Sequence, residues 1–237
     1  DIDGLRAVAV LGVIIYHAFP SVLPGGFSGV DIFFVISGYL ISGILYKGVK
    51  ERRTEGGFSF REFYARRVRR LFPSLITLLL LTLLFGKIIL LNDEFEQLGK
   101  HVAAGSLFIQ NMVFWSESGY FDIDATLKPL LHLWSLAVEE QFYIIFPPLL
   151  LLFWKKKWPM ATLLWVLLAA SFIGNIVMSY QAREGDFFLT TYRAWEFLGG
   201  CLLAWWHFGK NHEEEVPYGN WLSLGGLVLL GLGMALL

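Results

Sequence analysis

Arg6 and His17 stand eleven residues apart in a run that is otherwise apolar. At 100° per residue eleven steps come within about 20° of whole turns, so a helix puts both on one face, about 16 Å apart along its axis. An ionisable group at mid-bilayer costs about 2.5–3.5 kcal/mol on insertion scales, so each of the two calls for a partner or a water-filled cavity. A neutral imidazole at His17 can serve as a general base, and a packing histidine is an equally open reading. Arg6 is either a snorkelling anchor or part of the same site.

Further polar groups recur in apolar surroundings. Asp31, after Gly25, Gly26 and Gly29, either orients and charge-stabilises His17 across a hairpin or is a helix N-terminal carboxylate favoured by the dipole. In Ala65-Arg66-Arg67-Val68-Arg69-Arg70 a helix makes neighbours of Arg66 and Arg69, and of Arg67 and Arg70. Paired guanidiniums can grip phosphate oxygens bidentately, and the alternative is an anchor at lipid headgroups. From Pro129 to Tyr143, helical spacing puts His132, Ser135 and Glu139 in one row, with Glu140 about 100° away and with Trp134 and Tyr143 at the membrane interface. That row is either a site or a structural hydrogen-bond network. Arg193 and Glu196 lie in a later apolar run.

These groups need membrane helices to hold them. The 237 residues are 56% hydrophobic and 16% charged, with a mean hydropathy of +0.57, which predicts an all-α, polytopic membrane protein. A net charge of −1 offers nothing to nucleic acid. The single cysteine, Cys201, reads as a buried, inert thiol. Apolar runs predict seven spans at about 5–23, 28–46, 71–91, 136–154, 158–178, 191–208 and 220–237. The stretch at about 100–115 is expected to be re-entrant or interfacial, shielded by other helices.

The loop from Lys47 to Arg70 carries nine Lys and Arg against three Glu, which predicts a cytoplasmic position and a cytoplasmic N-terminus. Lys155 to Lys157 and Lys210 then also fall inside. Leu224-Gly225-Gly226 and Gly231-Leu232-Gly233 suggest close helix packing. The missing initiator Met and the apolar end at Leu237 suggest a chain cut at both ends.

Arg6-x10-His17, Gly29-Val30-Asp31-Ile32-Phe33-Phe34-Val35-Ile36-Ser37-Gly38-Tyr39-Leu40, the arginine pairs at 66–70 and His132-Leu133-Trp134-Ser135-Leu136-Ala137-Val138-Glu139-Glu140-Gln141-Phe142-Tyr143 occur in this order. Together they resemble the acyltransferase 3 family of bacterial membrane O-acyltransferases. The resemblance implies one transmembrane domain over 1–237, incomplete at its C-terminus, in the bacterial inner membrane. It also implies transfer of an acyl group, acetyl as the family prior, from cytoplasmic acyl-coenzyme A to a hydroxyl of a surface polysaccharide such as O-antigen, peptidoglycan or exopolysaccharide.

By that resemblance His17 is the catalytic base or acyl carrier, with Arg6 its motif partner. One arginine pair, Arg66/Arg69 or Arg67/Arg70, holds the coenzyme A phosphates. Asp31 or Glu139 would set the His17 tautomer, and His132, Ser135, Glu140, Arg193 and Glu196 would bind substrate or support the polar network. Related chains continue into a periplasmic SGNH-type domain, an expected partner absent from this sequence. No permanent cofactor or metal is expected. The rival class is a transporter or lipid-handling protein, which would call for inverted repeats with matching interrupted helices. The halves show no such correspondence.

Overall fold

The computed structural model describes residues 2–51, 59–118, 128–181, 183–209 and 219–236, and every element among them is helical. Helix α1 (Ile2–Ala18) leads through a 3-10 turn (Pro24–Ser28) into α2 (Gly29–Glu51). Then follow α3 (Phe60–Ile89), α4 (Asn92–Ser106), α5 (Gln110–Glu117), α6 (Leu133–Lys155), α7 (Met160–Gln181), α8 (Arg183–Phe188), α9 (Thr190–Ala204) with a terminal π turn (Trp205–Gly209), and α10 (Gly219–Leu236). Arg52, Arg53, Glu55 and Lys210, which entered the charge reading, lie outside the described residues.

Five segments among the described residues are long and apolar enough to cross a bilayer: Pro24–Val49, Phe60–Ile89, Leu133–Lys155, Met160–Gln181 and Gly219–Leu236. The expected runs at 5–23 and 191–208 become shorter helices of 17 and 15 residues. Helix α1 ends where the chain turns at Phe19, whereas α9 runs on directly into the π turn to Gly209. Where a span was expected from 71, α3 starts earlier, at Phe60, so the arginine cluster is its opening turns. Ser59 caps it by accepting the Glu62 amide at 3.3 Å.

The chain divides into two compact units: Asp1–Lys47, Trp154–Ala169 and Trp195–Leu237 in the first, Gly48–Phe153 and Ala170–Ala194 in the second. In the first, α2 and α9 meet backbone to backbone. A Cβ on Gly38 would strike the Phe197 carbonyl, and one on Gly200 would strike that of Val35. Phe34 stacks on Phe197 beside this crossing, with centroids 4.5 Å apart. Cys201 is buried there, as its apolar setting suggested, with Sγ 3.5 Å from the Gly38 carbonyl. Close packing therefore uses these glycines; nothing stands within 4 Å of a Cβ placed on Gly225, Gly226, Gly231 or Gly233 of α10.

In the second unit, Leu75 and Leu79 of α3 pack with Leu98 of α4 and Leu130. The stretch expected at 100–115 is broken into α4 and α5, of 15 and 8 residues, neither long enough to span. The break is held by Phe108 in the left-handed region at φ 54°. Its polar atoms are covered by protein: Gln141 Nε2 donates to the Phe108 carbonyl at 2.7 Å and to Asn111 Oδ1 at 2.8 Å. Asn111 Nδ2 donates to the Phe188 carbonyl at 3.0 Å, and the Thr190 hydroxyl donates to Gln141 Oε1. Asn111 is fully buried, so this network supplies the partners that water would otherwise provide.

Candidate functional site

Because α1 is unbroken from Ile2 to Ala18, Arg6 and His17 keep their common face. His17 lies exposed in the last turn, with Nδ1 2.8 Å from the Val13 carbonyl one turn back. A carbonyl only accepts, so Nδ1 carries the hydrogen in this contact and Nε2 is the nitrogen that presents a lone pair. The helix's own backbone thus holds Nδ1. Arg6 Nη1 sits 3.9 Å from the exposed carboxylate of Asp3, and its guanidinium lies 6.0 Å from the Phe33 ring centre on α2. Asp31 occupies the first turn of α2, where the helix dipole favours a carboxylate.

In the second unit α3 presents its arginines in different directions. Arg67 turns inward to α6. Its Nε donates to both Glu140 oxygens at 2.8 and 2.9 Å, Nη2 adds a further bond to the same carboxylate, and Glu139 lies 3.7 Å away. The guanidinium also stacks 3.5 Å from the Tyr143 ring centre, so charge, hydrogen bonds and π-face meet at one side chain. Arg66, Arg69 and Arg70 are exposed. Arg66 approaches Glu62 at 3.8 Å, and Arg69 Nε donates to the Ala65 carbonyl at 3.2 Å.

The row proposed for His132, Ser135 and Glu139 is altered because α6 starts only at Leu133. His132 lies in the preceding turn, where its carbonyl accepts the Ser135 hydroxyl at 3.2 Å. Trp134 and Tyr143, expected at the interface, are instead buried at 6% and 5% exposure, since both pack on aromatic or cationic neighbours inside the unit. Arg193 lies 5.8 Å from the ring centres of both Trp134 and Phe187. Glu196 is buried on α9 in the first unit.

Two groups of residues escaped the sequence reading. Tyr64, one turn before Arg67, donates its hydroxyl to the Tyr143 and Ile144 carbonyls at 3.1 and 3.3 Å. Its signal was present in α6 as Pro147-Pro148, which cannot bond those carbonyls. The other group surrounds Glu117, which accepts from Lys100 at 2.6 Å, His101 at 2.9 Å and Lys128 at 3.3 Å. Burial raises the Glu117 carboxyl, but the hydrogen bonds and charges of Lys100 and His101 outweigh it and bring the pKa down to about 2. His101 and Glu117 are sixteen residues apart on separate helices, and no periodicity links them.

A family model described as an acyltransferase domain matches residues 1–237. An uncharacterized protein of Haemophilus influenzae is 37% identical over 192 residues, 78% of this chain and 77% of its own length. The peptidoglycan O-acetyltransferase OatA of Listeria monocytogenes is 35% identical over 217 residues, 89% of this chain but 34% of its own length. This chain therefore spans about a third of that relative. No solved structure matches.

Proposed function

The chain belongs to the acyltransferase 3 family, a family of acyltransferase domains, and from that premise we propose that it is the membrane part of an O-acetyltransferase acting on a cell-surface or periplasmic polysaccharide. The reading takes acetyl-coenzyme A as the cytoplasmic donor and a glycan hydroxyl as acceptor, in a bacterial inner membrane with the N-terminus inside. Seven crossings fit this orientation if α1 and α9 also span. Support for the acetyl group and the glycan comes from the peptidoglycan O-acetyltransferase relative.

Coenzyme A presents an anionic nucleotide end and a thin, uncharged arm that carries the thioester. Arg67 is already committed to Glu140, which favours the Arg66/Arg69 register for the phosphates, with Arg70 beside it. At the other end of the reaction stands His17. In direct transfer, Nε2 takes the acceptor hydroxyl proton as the oxygen attacks the thioester carbonyl; the C–S bond breaks, and the departing thiolate takes that proton. In the covalent route, Nε2 attacks the carbonyl itself and expels the thiolate; in a second step the hydroxyl oxygen attacks the acyl carbon, the C–N bond to Nε2 breaks, and the hydroxyl proton passes to the thiolate. Asp31 would stabilise the imidazolium, and Arg6 would organise the donor path rather than react. His132, Ser135, Arg193 and Glu196 remain as substrate-binding or supporting polar groups.

The observation that carries this reading is the family match over the whole chain, with His17 at the end of α1 and its Nδ1 engaged by Val13. Purified protein in lipid discs, given acetyl-coenzyme A and a peptidoglycan or lipopolysaccharide acceptor, should release free thiol and acetylate the glycan. His17→Ala at normal abundance should abolish both. Wild-type rates in that variant would overturn the assignment.

A further inference from the structure

Helix α6 carries Pro147 and Pro148 in succession within an otherwise continuous helix. A proline has no N–H to offer the residue four positions back, so the carbonyls of Tyr143 and Ile144 lose their intrahelical donors. The Tyr64 hydroxyl of α3 donates to these two, at 3.1 and 3.3 Å. One turn further along α3, Arg67 binds Glu140, one turn before Tyr143, and stacks on the Tyr143 ring. Two side chains on one face of α3 thus grip α6 beside the point where its own ladder is interrupted.

We propose that Tyr64 is a positioning residue which, by satisfying the carbonyls that Pro147 and Pro148 leave open, holds α6 so that Glu139 and Glu140 stay committed to Arg67 and away from the exposed arginines of the donor site. This rests on the reading of Arg66 and Arg69 as donor-phosphate ligands. The electrostatic reason is direct. Proline pairs are where helices bend, and a loosened α6 would free two carboxylates to compete with phosphate for Arg66, Arg69 and Arg70. The clamp therefore acts on donor affinity.

Tyr64→Phe keeps the ring and removes only the hydroxyl. It should raise the KM for acetyl-coenzyme A about tenfold with kcat within about twofold, because saturating donor outcompetes the carboxylates. Loss of folded protein would do the reverse, lowering apparent kcat and leaving KM alone. Pro147→Ala with Pro148→Ala restores two backbone donors, so in that background Tyr64→Phe should change neither KM nor kcat. Hydrogen exchange of α6 amides over 149–152 in detergent should quicken in Tyr64→Phe and not in the proline-free pair. An unchanged KM, or an equal rise with and without the prolines, overturns the proposal. Should wild-type protein show no acetyl-coenzyme A dependence, the donor reading falls, and with it the effect on KM. The exchange measurement still decides the clamp, by its presence or absence.

Discussion

At the scale of single residues, chemistry depends on which atom is presented. Val13 takes the Nδ1 hydrogen of His17, leaving Nε2 as the nitrogen for either route, and the two routes separate without an acceptor. Incubated with labelled acetyl-coenzyme A alone, the covalent route leaves label on His17 that hydroxylamine removes, and the direct route leaves none. Mass spectrometry of the peptide from Leu11 to Phe19 reads the result. The arginines divide in the same way. Arg66→Ala with Arg69→Ala should weaken acetyl-coenzyme A binding at least about tenfold while the protein stays folded, because exposed charges contribute little to stability.

Arg67 behaves otherwise. Arg67→Met leaves the Glu140 carboxylate, 8% exposed, without its cation. Breaking a buried pair from one side costs about 3–5 kcal/mol, whereas replacing both partners by apolar groups is far milder. Thermal unfolding in detergent should therefore show a large fall in Tm for Arg67→Met and recovery in Arg67→Met with Glu140→Leu. Equal falls in the two proteins would contradict this account of the pair.

At the scale of elements, the same logic applies to backbones. α2 and α9 approach so closely at Gly38 and Gly200 that any side chain there meets a carbonyl oxygen. Gly38→Ala and Gly200→Ala should each cost about 1–3 kcal/mol by overpacking, and Gly225→Ala or Gly231→Ala on α10 should stay within about 0.5 kcal/mol of wild type. A matching loss of Tm in all four variants would show the close crossing to be misplaced.

The junction of α4 and α5 answers instead to pH. Glu117 titrates at about 2 when folded, below the usual carboxylate value of 4.5. A lowered folded pKa means that its stabilisation is complete above the unfolded value and disappears as pH falls from about 4.5 toward 2. Between pH 7 and pH 3 wild type should therefore lose more Tm than Glu117→Gln, which has no carboxylate to protonate.

At the scale of the whole molecule, orientation is the open test. Nine cations against three carboxylates from Lys47 to Arg70 argue for a cytoplasmic loop. In a Cys201→Ser background, a cysteine placed at Ser21 should react with an impermeant maleimide on intact spheroplasts, and one at Ser59 only after lysis. The reverse pattern would invert the orientation and remove the arginines from the donor side.

Much was legible in the chain alone. Apolar runs of bilayer length determined an all-helical membrane protein because lipid offers the backbone no partner, and four ordered motifs were enough to mark an acyltransferase. Helical spacing placed Arg6 and His17 on one face because it depends only on local geometry. Tertiary structure alone decided which arginine turns inward, which helices touch through glycine, where His132 falls relative to α6, and that Tyr64 completes a helix interrupted by two prolines. Apart from the place of His132, set at the adjoining start of α6, those outcomes depend on neighbours seventy or more residues away in sequence, and no local period records which partner a buried polar group will find.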